Sequence, residues 1–107
     1  MAKYLYITRY TTEGAKGIAS KGGTARRSAI EAMAKASGGK LESFYFAFGE
    51  DDTYVTIDYP DNVSAAAAAL AVNQSGAAVT RTIPLLTPEE IDQAAAKKSV
   101  TYRPPGK

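Results

Sequence analysis

Residues 40–59 read KLESFYFAFGEDDTYVTIDY, and this stretch decides the fold. Two runs rich in aromatic and β-branched residues, 40–48 and 53–59, flank the polar turn Gly49-Glu50-Asp51-Asp52. Runs of that kind joined by a tight turn read as a β-hairpin. Gly38-Gly39 stops the element before the hairpin, and Pro60 ends its second strand.

Working outward, Thr24 is placed to cap a helix that runs to Ser37. Ala29, Ile30, Met33 and Ala36 share its inner face, while Arg27, Glu31 and Lys35 stand four apart outside. Residues 3–10 (KYLYITRY) alternate as a strand, and 11–19 read as a short helical turn interrupted by Gly14 and Gly17. Downstream, Asp61 caps a second helix to Gln74, closed by Ser75-Gly76. Residues 77–86 form a fourth strand, with Pro84 marking an edge or a bulge. Thr87-Pro88-Glu89-Glu90 then starts a short helix, with Ile91, Ala94 and Ala95 inward. Residues 98–107 are expected to be an extended tail. The order is β-α-β-β-α-β plus one helix, so the expectation is one α+β domain over 1–107. Its fold would be a ferredoxin-like sandwich with a four-stranded antiparallel sheet and a C-terminal helix.

The 107 residues are 45% hydrophobic and 22% charged, an ordinary balance for a folded chain. No apolar run approaches the roughly 20 residues of a membrane span, and the first residues show no leader pattern. The expected location is the cytoplasm. The chain has neither cysteine nor histidine, which removes disulfides, thiolate nucleophiles, Cys/His zinc sites and imidazole catalysis. No cofactor and no metal is expected. Net charge is only +2, but it is segregated. Lys16, Lys21, Arg26, Arg27, Lys35 and Lys40 face a single acid, Glu31, between residues 16 and 40. Residues 41–80 hold no base, only Glu42, Glu50, Asp51, Asp52, Asp58 and Asp61. Such segregation suits contact between unlike surfaces of neighbouring copies, a local anion site, or two solvated faces.

Strand alternation sorts the residues into two faces. Leu5, Ile7, Phe44, Phe46, Phe48, Val55, Ile57, Val79 and Ile83 are expected to meet the helices. Tyr4, Tyr6, Thr8, Tyr10, Ser43, Tyr45, Tyr54, Thr56, Asp58, Thr80 and Thr82 would then lie on the uncovered face. That face would carry five of the seven tyrosines. Such a patch marks a partner or ligand, and homo-oligomerisation through it, sheet against sheet, is the simplest expectation. The helix after Asp61 (AAAAALAV at 65–72) is apolar all round, so both its sides are expected to meet protein, the C-terminal helix covering one.

Several of these segments carry a family resemblance. They are Thr12-Glu13-Gly14-Ala15-Lys16-Gly17, Gly22-Gly23-Thr24-Ala25-Arg26-Arg27, residues 38–49 (GGKLESFYFAFG) and Leu85-Leu86-Thr87-Pro88-Glu89-Glu90. With them the chain resembles the GYD-domain family over nearly its whole length. The family's Gly-Tyr-Asp turn reads Gly49-Glu50-Asp51 here, so its central aromatic is absent. The resemblance implies a ferredoxin-like or dimeric α–β barrel fold and oligomerisation. It brings no catalytic residues with it.

Candidate sites follow from residue chemistry. Glycines ahead of a helix, followed by Arg26 and Arg27, would suit a phosphate or carboxylate, although a capped helix with exposed arginines has the same pattern. By analogy with dimeric α–β barrels, Tyr6, Tyr45 and Tyr54 would line a small-molecule pocket with Asp58 as a base. The same tyrosines equally suit a subunit interface. Nucleic acid is disfavoured: Tyr6 and Tyr54 sit where RNA-recognition sheets stack bases, but Asp51, Asp52 and Asp58 would repel phosphate. Glu50, Asp51 and Asp52 read as turn formers rather than cation ligands. Asn73 reads as a helix-end cap. The leading functional expectation is a homo-oligomeric, non-catalytic module that binds a small metabolite or regulates a partner. The alternative is a cofactor-independent monooxygenase or isomerase acting on a small aromatic or lactone compound.

Overall fold

The β-branched and aromatic runs become strands and the alanine-rich stretches between them become helices. In the computed structural model, which describes residues 1–107, the order is β1 (Ala2–Tyr10), α1 (Thr12–Lys21), α2 (Gly23–Ala36), β2 (Lys40–Phe46), β3 (Thr53–Tyr59), α3 (Asn62–Gln74), β4 (Ala78–Leu85) and α4 (Pro88–Ala95). The strands form one sheet in the order β2-β3-β1-β4, each neighbour antiparallel. This α+β arrangement is compatible with the ferredoxin-like expectation. No helix is long and apolar enough to cross a membrane.

Three local readings are corrected. The first helical segment is a full ten-residue helix, not a short turn. Thr11 caps it, its side chain accepting from the Gly14 amide. The next helix starts at Gly23 behind Gly22, whose φ of 86° only glycine adopts cheaply; Thr24 therefore lies inside the first turn and caps nothing. β2 ends at Phe46, where the Ala47 amide turns to the Asp52 carbonyl, so Phe48 stands in solvent. The Asp61 cap of α3 and the Thr87–Glu90 capping box of α4 form as their residue types require.

The larger correction concerns which face of the sheet is covered. β2 and β3 lie as expected, with Phe44, Val55 and Ile57 toward the helices. β1 and β4 are seated the other way. Register places Tyr4 opposite Ile57 and Tyr6 opposite Val55, so both tyrosines enter the core. The reason is volume. The inner helix faces are built of Ala34, Ala65 and Ala68, with Ile30 and Met33 the larger exceptions, and large sheet residues are needed to fill the space between layers. Tyr59, wholly buried, packs its ring against Tyr4 and Tyr6 at centroid distances of 6.3 and 6.5 Å.

Each hydroxyl also finds a partner. Tyr4 donates to Asn62 Oδ1 at 2.6 Å and Tyr6 to the Ala65 carbonyl at 2.7 Å. Tyr59 accepts from Ser37 Oγ at 3.1 Å. Each of these phenol oxygens thus has at least one hydrogen-bond partner. Leu5, Ile7, Val79 and Ile83 are left on the uncovered face, the reverse of the expectation.

α4 buries none of its residues, and residues 96–107 form neither helix nor strand. The radius of gyration is 17.0 Å and the longest extent 56 Å. A chain of this length packed into one body has a radius of about 13 Å, so residues 87–107 form an arm that projects from the sandwich. α4 therefore does not cover α3, whose outer residues Val63 and Leu70 stay exposed.

Gly39 lies so close under Tyr59 that a Cβ would come within 2.6 Å of the ring and 2.7 Å of the Asp58 carbonyl. Gly39→Ala is expected to cost about 1–3 kcal/mol, the range for overpacking. Gly17, whose Cβ position has nothing within 4 Å, is the control: Gly17→Ala is expected to stabilise by about 0.5–1 kcal/mol. Urea unfolding of both variants reads the two signs.

Candidate functional site

The tyrosine filling of the core stops short at one end of the sheet. Beyond it α1, α2 and the end of α3 flank a cavity of about 550 Å³ that is open to solvent on its outer side. α1 contributes Gly14, Gly17, Ile18 and Lys21; α2 contributes Ala25, Arg26, Ala29, Ile30 and Met33; α3 contributes Ala71 and Val72. Tyr10 and Ala77 close the sheet end. Glycine and alanine along three helices leave the volume that larger side chains would have filled. A narrow cavity of about 30 Å³ between helices and sheet shares Tyr10, Arg26, Ile30, Met33 and Val72 with it and is also lined by Thr8 and Thr80. Those two hydroxyls bond to each other at 2.9 Å.

Arg26 is the least exposed charged group of this site. Its guanidinium carbon lies 5.7 Å from the centroid of the Tyr10 ring, a cation–π contact. Its Nε is the one buried side-chain nitrogen or oxygen without a hydrogen-bond partner. None of the four ion pairs in the structure includes it. A buried N–H with no acceptor is costly. Arg27, its neighbour, is exposed and lines neither cavity.

The expected site residues divide between the two sides of the sheet. Arg26 and Tyr6 lie on the helix side, Tyr6 in the deep cavity. Tyr45, Tyr54 and Asp58 lie on the uncovered face. There the register gives cross-strand rows Tyr45–Tyr54–Ile7–Arg81, Ser43–Thr56–Leu5–Ile83 and Lys40–Asp58–Lys3–Leu85. The five-tyrosine patch is therefore corrected to two, Tyr45 and Tyr54, beside aliphatic residues. Tyr45 is 70% exposed and Val79 61%. Asp58 accepts from Lys3 Nζ at 3.0 Å, and Lys3 also pairs with Glu42. Asp58 cannot serve as a base for anything held beneath Arg26.

The acidic turn disperses its carboxylates. Asp52 accepts from the Tyr10 amide at 2.8 Å, Asp51 lies 3.6 Å from Arg81 and Glu50 4.0 Å from Arg9. No group of three acidic side chains converges to hold a metal ion. Asn73 does not cap α3; it brackets Thr80, accepting from its amide at 2.7 Å and donating to its carbonyl at 3.3 Å. That clamp ties the end of α3 to β4. Tyr10, Met33, Val72 and the glycines of α1 were not singled out by residue type. The available signal was small residues at helical spacing, Gly14 and Gly17 on α1 and Ala25 and Ala29 on α2.

The family model of the GYD domain matches residues 4–95. Among curated proteins and among solved structures the chain finds no match.

Burial pushes the Tyr6 phenol well above its ordinary value of 10.0, and the neighbouring Tyr59 and Tyr4 add to the effect. A raised value means that the native state holds the proton more tightly than the unfolded chain. The associated stability is complete below pH about 10 and falls as pH rises beyond it. Urea midpoints followed from neutral pH to about pH 11 are expected to decline. In Tyr6→Phe that decline is shallower, and the lost hydrogen bond lowers neutral-pH stability by about 1 kcal/mol.

Proposed function

The chain belongs to the GYD domain family, and we propose that it works as a homo-oligomeric module that binds a small molecule rather than transforming it. One observation carries the reading: the sheet is incomplete on both sides in different ways. On the helix side lies a 550 Å³ cavity with an arginine lacking an acceptor. Pockets of this size and lining are typical of small-ligand sites. On the other side Tyr45, Tyr54, Val79 and Ile83 are exposed around the half-buried Leu5 and the buried Ile7, an aliphatic and aromatic face with no helix over it. A ligand fits the first and a second copy the second.

Binding is favoured over catalysis by the placement of the carboxylates. Asp58, the base an enzyme of this kind would use, is ion-paired on the wrong side of the sheet. The remaining carboxylate by the cavity, Glu13, sits at its exposed rim.

Size supports a role for the arm in association. Four strands about 4.8 Å apart, each with about seven residues at 3.3 Å, give a footprint of roughly 450 Å². A standard interface buries roughly 800 Å² per partner. Residues 87–107, with exposed Ile91, Val100 and Tyr102, are available to supply the difference. A cytoplasmic location belongs to the same proposal.

Sedimentation equilibrium tests the association. The wild-type chain is expected to be a dimer or larger at micromolar concentration. Ile83→Asp, on the uncovered face, is expected to give a folded monomer, and deletion of residues 87–107 to weaken association without unfolding. A monomeric wild-type chain, or an Ile83→Asp variant that associates as before, overturns the sheet-to-sheet reading.

A further inference from the structure

Resting on that binding role, we infer that the cavity takes a compact, largely apolar monocarboxylate, with its carboxylate forked onto Arg26. The guanidinium is planar and presents parallel N–H groups that match the two oxygens of a carboxylate. The Nε edge is the buried one and has no acceptor in the protein. The Tyr10 ring lies 5.7 Å from the guanidinium carbon, a contact that favours the charged head staying at this end of the cavity.

The charge of the site selects one negative charge over two. Arg26 is the least exposed cation of the site; Lys21 and Glu13 lie on its exposed rim at opposite ends of α1, so the charged lining sums to a single positive charge. A phosphate dianion would bring more charge than the site neutralises. The remaining walls are aliphatic, made by Ile30, Met33, Ala71 and Val72. The hydroxyls of Thr8 and Thr80 are already bonded to each other, leaving little to read a sugar or a nucleoside. The body of the ligand is therefore hydrocarbon, aromatic or aliphatic, and its single polar end lies at Arg26.

Isothermal titration of the full chain tests this with hydrocinnamate and octanoate as carboxylates, hydrocinnamamide as the neutral isostere and phenyl phosphate as the dianion. At least one carboxylate is expected to bind at one per chain, tighter than the amide by about tenfold or more, the range for a charge-assisted hydrogen bond. Arg26→Gln is expected to abolish that preference while retaining weak binding of the amide. Gly17→Leu, which projects a side chain into open space beside the cavity, is expected to abolish binding of every probe with Arg26 intact and the unfolding transition preserved. Equal binding of carboxylate and amide, or tighter binding of the phosphate, overturns the ligand class while the pocket still binds. Failure of all probes to bind the folded wild-type chain overturns the binding role along with it.

Discussion

Three tyrosines packed against alanine-faced helices hold this molecule in its arrangement. Tyr4, Tyr6 and Tyr59 fill the space that Ala34, Ala65 and Ala68 leave, and their hydroxyls bond to α3 and to the end of α2. The aromatic bodies supply apolar area and the phenol groups supply direction, so the same side chains set both the depth and the alignment of the helix layer. A leucine in place of Tyr6 would fill part of the volume but would not tie the sheet to the first turns of α3. Gly39 is small because Tyr59 is large.

The candidate site is the place where that packing runs out. Along β1 the helix-facing positions are Tyr4, Tyr6, Thr8 and Tyr10. At Thr8 the filling drops to a hydroxyl paired with Thr80, and at Tyr10 the ring lies at the end of the sheet beneath Arg26. The helices do not compensate, because α1 and the start of α2 offer glycine and alanine there. A cavity and an arginine without an acceptor are thus two consequences of one local shortage of side-chain volume. The clamp of Asn73 on Thr80 keeps α3 and β4 together beside it, so that the space does not collapse.

The opposite face follows from the same choice. With tyrosine turned inward on β1, the aliphatic residues of β1 and β4 have to turn outward, since alternate side chains cannot share a face. An open sheet that exposes Val79 and Ile83 together with Tyr45 and Tyr54 is more apolar than a tyrosine-and-hydroxyl face would be. Its borders are charged by Lys3, Asp58, Arg9 and Arg81. Such a distribution resembles an interface core with a polar rim. The arm that leaves β4 at Leu85 starts from the edge of that face, and its helix buries none of its residues on the sandwich.

The amino-acid sequence by itself determined the four strands and their order along the chain, the hairpin at residues 40–59, the caps at Asp61 and Thr87, and the family, because turns, caps and alternation are local. It also picked out Arg26, since two arginines just inside a helix after paired glycines are visible as residue types. It did not determine which face of β1 and β4 is buried. Alternation separates Tyr4 and Tyr6 from Leu5 and Ile7, yet either set is apolar enough to lie inside, and hydropathy alone favours the aliphatic one. Only the tertiary structure decided between them. The choice turns on the volume left by alanines more than twenty residues away in α2 and α3, and on acceptors for phenol hydroxyls that no neighbouring residue in the chain supplies.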